Sequence, residues 1–189
     1  MKHLRNIVEE FDRDSAFADV GTDDLDIPSV EGFRDAMRHL ASGVSLITSR
    51  GPNGRRHGML ATAVSSVTAD PPTILVCVNR NATMHDDLIK SGYFCVNFLG
   101  QRHRELSRRF SSSEARGNRF DVGNWTTLTT GAPVLDDALS VLDCRLNSAV
   151  EVGSHSVLFG KVQGIRVASS SNDKPLLYYD RQYGEFVRS

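Results

Sequence analysis

The segment Glu151-Val-Gly-Ser-His-Ser-Val-Leu-Phe-Gly160 has the pattern of a strand end, a tight Gly-Ser turn and the start of a second strand. The apolar and β-branched residues on both sides of the turn predict two long strands, 139–151 and 155–168, paired as a hairpin. His155 lies at the lip of the turn, where neither core packing nor strand pairing requires an imidazole. The segment therefore predicts a β-rich fold and marks a candidate functional residue at the hairpin tip.

Shorter runs with strand character surround this hairpin, at 43–49, 57–72, 73–78, 93–99 and 176–180. The turn-rich residues between the first two runs predict a further hairpin. The run 73–78 is apolar throughout, so we expect both of its faces to be covered. Six or seven strands without βαβ alternation predict an antiparallel β-barrel with a few flanking helices, and not a doubly wound nucleotide-binding fold.

Three helices are expected beside the barrel. The first runs from an N-cap at Ser29 to near Gly43, and the second from a capping box at Thr83 to Ser91. A basic third helix occupies 101–110.

Residues 1–28 are acidic and polar, and we interpret them as an N-terminal extension before a single domain, 29–189. Two interpretations of the extension stay open: a poorly ordered tail, or a segment that packs on a partner subunit.

The composition argues against several functional classes. With 189 residues, 40% of them hydrophobic, and a formal net charge of −1, the chain lacks the excess of Lys and Arg that nucleic-acid binding needs. No apolar run approaches the roughly 20 residues that span a bilayer, and the N-terminal residues lack the apolar core of a signal peptide. Three well-separated cysteines without C-x-x-C spacing indicate free thiols in a reducing compartment, so we expect a cytoplasmic protein.

The run of small residues from Gly58 to Ser66 is unusual for the interior of a sheet. Small side chains allow a planar or bulky ligand to lie against the backbone, whose N–H and C=O groups then contact its polar edge. The alternative is a strand packed tightly against a neighbouring helix, and composition alone favours it.

Two further segments are candidate anion sites. Residues 79–84 follow a buried strand at a predicted helix N-terminus, where free N–H groups, an arginine and hydroxyl or amide side chains suit a phosphate. An ordinary polar loop explains them equally well. The arginine-rich segment 101–109 is interpreted mainly as a solvated helix face, with Arg109 as the candidate that closes on a phosphate.

Signatures of metal or nucleophile chemistry are lacking in the sequence. The six histidines form neither H-x-H nor H-E-x-x-H, and there is no G-x-S-x-G elbow or Walker sequence. His155 considered alone is by default a surface turn residue. Any chemistry is therefore expected to come from an organic cofactor, and no metal site is predicted.

Four segments taken together resemble the short-chain flavin reductase family. They are FRDAMRHLASGVSLITS (33–49), GMLATAVSSVTADPPTILVCVNRNATMHD (58–86), YFCVNFL (93–99) and EVGSHSVLFGKVQGI (151–165). The resemblance covers about residues 29–187 and, within the family, is nearest to the FMN reductase component of pyrimidine-ring-opening monooxygenase systems. It implies an FMN-binding split β-barrel and a homodimer that holds flavin between its subunits. The implied activity is reduction of FMN (or FAD) by NADH or NADPH, with delivery of reduced flavin to a separate flavin-dependent monooxygenase.

The resemblance also implies a set of site residues. Those implied to bind flavin are Leu60, Ala61, Thr62 and Ala63 beside the ring, Asn79, Arg80, Asn81, Ala82 and Thr83 at the phosphate, and Asn97, Phe98 and Leu99 on the other side of the ring, with Arg109 as a further candidate. Those implied at the nicotinamide are His155, as the catalytic residue that aligns the ring, together with Arg181 and Tyr183. The sequence departs from the family pattern at Ser154, where an acidic residue is usual, and at Ala82, where a hydroxyl residue is common.

Two other functions fit the same resemblance less well. A non-catalytic flavin-binding or flavin-sensing protein would keep the phosphate loop, and Ser154 slightly favours it. A pyridoxamine-phosphate-oxidase-like protein would need more basic residues aimed at a substrate phosphate than the chain offers outside 101–109. The sequence leaves FMN or FAD, and NADH or NADPH, undecided, although the likeness leans to FMN.

Overall fold

The computed structural model describes residues 28–169 and 173–187. The chain divides into two compact units, residues 1–36 and 37–189. Of the first unit the structure describes residues 28–36 alone, so the predicted extension falls outside the described residues except for Pro28. Its two interpretations, and the boundary drawn for it from sequence, stay predictions.

The described residues form twelve strands and three α-helices. The strands are β1 (Ser42–Gly43), β2 (Ser45–Arg50), β3 (Arg56–Ala61), β4 (Val64–Ala69), β5 (Pro72–Asn79), β6 (Tyr93–Phe98), β7 (Trp125–Thr127), β8 (Pro133–Leu135), β9 (Ser140–Val152), β10 (His155–Val167), β11 (Leu176–Tyr179) and β12 (Gln182–Glu185). The helices are α1 (Val30–Arg38), α2 (His85–Ser91) and α3 (Arg104–Ser111), with single 3₁₀ turns at Gln101–His103, Glu114–Gly117 and Arg119–Asp121.

Seven of the strands form one sheet in the order β3-β2-β6-β9-β10-β5-β4, and every pairing in it is antiparallel. Strands β1, β11 and β12 form a second small sheet, and β7 pairs with β8. The predicted mainly β, antiparallel architecture with few helices is confirmed. The strands missed from sequence are mostly two to four residues long, too short to show an alternating pattern.

The hairpin predicted from the opening segment is confirmed. Strands β9 and β10 have 13 residues each, and Val152 pairs with His155 across the turn. Gly153 has a φ of +54°, a left-handed conformation that glycine adopts without strain. Because β10 also pairs with β5 along its first half, this hairpin joins the two halves of the large sheet.

Side chains alternate between the two faces of this sheet. Along β10, Ser156, Leu158 and Gly160 are buried in the interior, whereas Val157 and Phe159 face outward and are partly exposed. His155 belongs to the outward set and is exposed. The alternation has the two-residue period of a strand.

Strand β5 alternates in the same way. Ile74, Val76 and Val78 are buried, but Leu75 and Cys77 on the opposite face are only partly buried. The expectation that both faces of the run 73–78 are covered is therefore wrong for the single chain. An apolar run predicts burial on both faces without specifying whether a second chain provides one of them.

Two predicted helix boundaries are wrong. The first helix ends at Arg38 rather than near Gly43, because Ser42–Gly43 pairs with β11 and the Val44 N–H donates to the Leu176 carbonyl. The second helix begins at His85, and its N-cap is Met84 without a side-chain hydrogen bond, so Thr83 does not cap it. Competing strand pairing and loop geometry decide these ends, and neither is visible in local sequence.

The interior beneath the hairpin is packed closely at Gly160. A Cβ atom there would lie 2.5 Å from Phe94 Cζ and 3.0 Å from Cys144 Cβ, both in the buried core. Only glycine lets the Phe94 ring lie against β10 at this point.

Gly160→Ala is therefore expected to lower the free energy of unfolding by about 1–3 kcal/mol, since the added methyl overpacks the core. Chemical denaturation monitored by circular dichroism measures the change. Gly43→Ala is the control, because a Cβ at Gly43 meets no atom within 4 Å. Equal stability of the two variants would contradict this account of the core.

Candidate active site

The largest of the described cavities lies against the end of β3. Its volume is about 570 Å³, and we call it the ring cavity. Its lining residues are Val44, Leu60, Ala61, Thr62, Arg108, Ser111, Ser112, Tyr178, Arg181 and Tyr183. The wall combines small and apolar side chains with Arg108 of α3 and with an arginine and two tyrosines from the C-terminal hairpin, a mixed lining that suits a planar ligand.

The small-residue run has different surroundings along its length, and its contact with a ligand stays a prediction. At Gly58 the strand is packed against a helix, since a Cβ there would lie 2.5 Å from Phe110 Cε1 of α3. Beyond Ala61 the strand breaks, and Thr62 and Ala63 are exposed between β3 and β4. Ala61 and Thr62 of the run line the ring cavity, and the Thr62 and Ala63 carbonyls accept from the Val64 and Cys77 N–H groups.

The structure brings two residues predicted for the nicotinamide to this same cavity. Arg181 lies in the turn between β11 and β12, where Asp180 and Arg181 have φ angles of +45° and +63°. Tyr183, one residue into β12, packs edge-on against Tyr178 with 5.6 Å between ring centroids. A non-glycine pair in the left-handed region is uncommon, and such strain is concentrated at functional sites.

A second cavity, which we call the arginine cavity, lies at the other end of β3. Its volume is about 260 Å³, and its lining residues are Arg55, Arg56, His57, Gly58, Thr83, Met84, Asp87, Arg116, Arg119 and Phe120. Gly58 of the arginine cavity and Leu60 of the ring cavity are two residues apart, so about 7 Å of extended strand lies between the nearest lining residues of the two cavities.

The electrostatics of the arginine cavity favour an anion. Four arginines line it, and the carboxylate of Asp87 is the one acidic group among the lining residues. The Nε of Arg119 is buried and has no hydrogen-bond partner. Burial and the neighbouring charge of Arg116 lower the pKa of Arg119. A bound oxyanion would stabilise this cavity. It would offset the repulsion among the arginines and accept a hydrogen bond from the unpaired Nε of Arg119.

The loop predicted to bind phosphate is divided between two cavities. Thr83 faces the arginine cavity, whereas Arg80 and Asn81 line a third cavity beside the hairpin tip, about 340 Å³ in volume. We call this the hairpin cavity, and Ser154 and Glu151 also line it. Arg80 is 3.1 Å from the Glu151 carboxylate.

The free N–H groups predicted for this loop are partly absent. The N–H groups of Arg80, Asn81 and Ala82 donate to the Ser154 carbonyl, the Asn79 side chain and the Asn79 carbonyl. Those three groups are therefore not available to a ligand. The N–H groups of Thr83 and Met84 have no acceptor within the described residues, and both residues line the arginine cavity. The structure thus shifts the candidate phosphate position from 79–82 toward Thr83.

His155 lies at the hairpin tip, apart from the ring cavity. It is exposed on the outer face of β10, opposite Asn79 of β5, and its Nδ1 is 2.9 Å from the Ser154 hydroxyl. Within one chain the structure groups His155 with the loop 79–81. It does not place His155 in the cavity that contains Arg181 and Tyr183.

Sequence reasoning missed a chain of polar contacts beneath the tip, which is buried at His85 and Ser156 and exposed at Asp86. His85 Nε2 is 3.0 Å from the Ser156 hydroxyl, and His85 Nδ1 is 2.8 Å from Asp86 Oδ1. A proton on Nδ1 satisfies both contacts, with the Ser156 hydroxyl donating to Nε2. The hydrogen bond from His85 lowers the pKa of Asp86. This chain ties the start of α2 to the residue that follows His155.

The strand 97–99 provides little to a ligand. Asn97 is fully buried: its amide donates to the Leu46 carbonyl and the Thr48 hydroxyl, and its carbonyl accepts from the Leu135 N–H. Leu99 is also in the core. The expectation that these two side chains border a flavin is therefore wrong, and Phe98 alone of the three is partly exposed.

Two other expectations have simple outcomes. Arg109 is partly buried with an unpartnered Nε, but Arg108 rather than Arg109 lines the ring cavity.

All three cysteines are free, and burial raises the pKa of Cys144 to about 12 and that of Cys95 even higher. Neither buried thiol ionises near neutral pH.

The described residues lack two features, a membrane-spanning helix and a cluster of metal-ligating side chains. In 28–169 and 173–187 no helix is long and apolar enough to cross a membrane. The same residues contain no group of three or more metal-ligating side chains.

Comparison with known proteins places this geometry in context. Residues 37–186 match the model of the flavin reductase like domain. The FMN reductase (NADH) RutF of Pseudomonas syringae pv. syringae is 48% identical over 151 residues, which are 80% of this chain and 83% of that protein. RutF of Pantoea ananatis is 41% identical over 156 residues, covering 82% of this chain and 80% of that protein.

Solved structures agree with the sequence relatives. A flavin reductase from Haemophilus somnus has a TM-score of 0.79 at 40% identity, covering 84% of this chain and all of that one. BorF, the flavin reductase component of a bacterial two-component tryptophan halogenase, has a TM-score of 0.75 at 29% identity, covering 85% of this chain and 100% of that one. The split-barrel fold expected from sequence is thereby confirmed.

The left-handed turn that carries Arg181 gives a testable consequence. Arg181→Gly is expected to raise the free energy of unfolding by roughly 1 kcal/mol, because glycine removes the Cβ strain of that conformation. Thermal or denaturant unfolding measures it. Arg181→Ala is the matched control: it removes the same guanidinium but keeps the Cβ, so no gain is expected. If both variants gained equally, the strain would not lie in the backbone.

Proposed function

Because this chain belongs to the flavin reductase like family and is an oxidoreductase, we propose that it reduces FMN with NADH and releases the reduced flavin to a separate monooxygenase. The observation that carries the proposal is the pairing, along one strand, of a small-walled cavity with an arginine-lined one. Relatives of this chain are named FMN reductase (NADH). One structural neighbour is named as the flavin reductase component of a two-component tryptophan halogenase, and another as a styrene monooxygenase flavin reductase.

The two cavities suit the two ends of FMN. The ring cavity offers Leu60, Ala61 and Thr62 as a flat wall against which the isoalloxazine can lie. The arginine cavity offers the hydroxyl of Thr83 and the guanidinium of Arg119 to the phosphate, which would satisfy the buried Nε of that arginine. The ribityl chain would follow β3 between them.

We propose that a second copy of the chain completes the site. On the outer face of the large sheet, Leu75 is opposite Phe159, and Cys77 is opposite Val157. These four side chains are only partly buried and form an apolar patch that continues to the exposed His155. A homodimer formed through this patch would cover it and place His155 at the subunit boundary, where the ring cavity of either subunit can be near it.

The residues have distinct roles in this proposal. Bound FMN supplies the chemistry by accepting a hydride from NADH. His155, with its Nδ1 held by the Ser154 hydroxyl, presents Nε2 to the nicotinamide carboxamide and orients that ring. Arg181 and Tyr183 close the cavity over it and exclude water. Hydride transfer needs alignment of two rings more than it needs an acid or base, and alignment lowers a barrier by several kcal/mol.

Absorbance at the reduced-nicotinamide band tests the proposal, with NADH or NADPH as donor and FMN or FAD as acceptor. We expect oxidation of NADH with FMN. No oxidation with any of the four pairings would overturn it.

His155→Ala is expected to raise the KM for NADH or lower kcat by at least tenfold, with FMN affinity nearly unchanged, because the imidazole contacts the nicotinamide and not the flavin. Flavin fluorescence gives the FMN affinity. His39→Ala, at another exposed histidine, is the control and should leave both constants unchanged. Loss of flavin binding with unchanged hydride transfer would contradict the role of His155.

Phe159→Asp is expected to convert the dimer to a monomer, because it buries a charge in the proposed apolar interface. Analytical ultracentrifugation distinguishes the two states. Val167→Asp lies at the far end of the same strand, where the side chain is 68% exposed, and should remain dimeric. A wild-type monomer, or a dimeric Phe159→Asp variant, would show that this patch is not the interface.

A further inference from the structure

The carboxylate of Asp87 is out of place in the arginine cavity. A site built to hold a phosphate gains from each cation and loses from each anion that faces it. Asp87 nevertheless lines the cavity together with Arg55, Arg56, Arg116 and Arg119. Its side chain is 33% exposed, so its charge is only partly screened by water.

Nothing else that lines the cavity removes this charge. The partner of Asp87 is His57, whose Nε2 is 2.9 Å from Asp87 Oδ2. Burial lowers the pKa of His57 and outweighs the opposite influence of Asp87, so the imidazole is mostly neutral at pH 7. Nε2 makes no well-aligned hydrogen bond despite this short distance, and a neutral imidazole leaves the negative charge of Asp87 in the cavity.

We propose that Asp87 weakens binding of the FMN phosphate, so that four arginines do not retain the flavin and the reduced product can leave. This inference rests on the proposed function. An enzyme that hands its flavin to another protein needs a phosphate site that is selective but not tight, and a fixed like charge lowers affinity without removing the donors that give selectivity. His57 lies beside the carboxylate without neutralising it, and Asp87 is thus a residue that sets affinity rather than a catalytic residue.

The inference distinguishes ligands that differ only in their phosphate. FMN carries the dianion that Asp87 repels, whereas riboflavin has the same ring and ribityl chain without it. Removing the charge of Asp87 should therefore raise the affinity for FMN and leave the affinity for riboflavin unchanged. Most of the gain should appear as slower dissociation, since affinity changes at one site are mainly changes in the off-rate.

Asp87→Asn is the test, with FMN and riboflavin titrated against the full-length protein by flavin fluorescence and FMN dissociation followed by stopped flow. We expect FMN affinity to rise about three- to tenfold, the size of one partly screened charge interaction. Riboflavin affinity should not change. Asp87→Ser removes the same charge with a different side chain and should give the same shift if the asparagine variant is unstable. Asp136→Asn removes a carboxylate from another ion pair, with Arg166, and is the charge-matched control.

A second variant separates the possible failures. Arg119→Gln should lower the affinity for FMN and leave the affinity for riboflavin unchanged. If it does so while both Asp87 variants bind FMN as wild type does, the inference about Asp87 is wrong and the phosphate assignment stands. If neither position affects FMN in an active enzyme, the phosphate binds elsewhere and the inference is overturned with it. A wild-type protein that binds FMN but oxidises neither NADH nor NADPH would instead overturn the proposed function, and the binding data would still decide the role of Asp87.

Discussion

The antiparallel pairing of β10 with both β9 and β5 is the constraint on which the rest of the structure depends. It fixes the register that turns Ser156 and Leu158 inward and His155 outward. A shift of one residue would exchange these faces, placing an imidazole in the core and exposing a leucine. The same register places Asn79 opposite His155, so the loop that follows β5 begins beside the hairpin tip. Core packing and the arrangement of the site are therefore set by one strand pairing.

Much of the fold could be predicted because long strands carry a clear pattern. The hairpin ends were located within one residue, since Gly153 marks the turn and apolar residues alternate on both sides of it. The short strands were not predictable, because β1 and β12 exist through pairing with β11 and not through their own residues. Local chemistry alone predicts Thr83 as a helix cap. The backbone instead turns through Ala82, whose carbonyl accepts from the His85 N–H, and the helix starts at His85.

The sequence indicates several individual segments of the candidate site, but it does not show which of them line the same cavity. Small residues at 60–63 and the polar loop at 79–83 were recognised as chemically unusual, and both line cavities. Arg116, Arg119 and Asp87 were missed because an arginine cavity assembled from three distant segments has no signature in any one of them. Asn97 was misassigned for the opposite reason: a buried amide whose hydrogen bonds are all internal has the same sequence context as one that binds a ligand.

Under the proposed function, the arrangement suits a flavin that leaves. A resident cofactor is held by deep burial, whereas both cavities here are surface clefts at the two ends of one strand. Their chemistry is divided: the ring cavity contributes a contact surface of small and apolar side chains, and the arginine cavity contributes charge. Charge attracts the phosphate over a long range and speeds association, but it also slows departure. A carboxylate within the same cluster lowers the net attraction for the phosphate, and the neutral His57 beside it leaves that charge in place. With four arginines against one carboxylate the cluster keeps a net positive charge, so under the proposed function it still attracts the phosphate while Asp87 weakens the bound state.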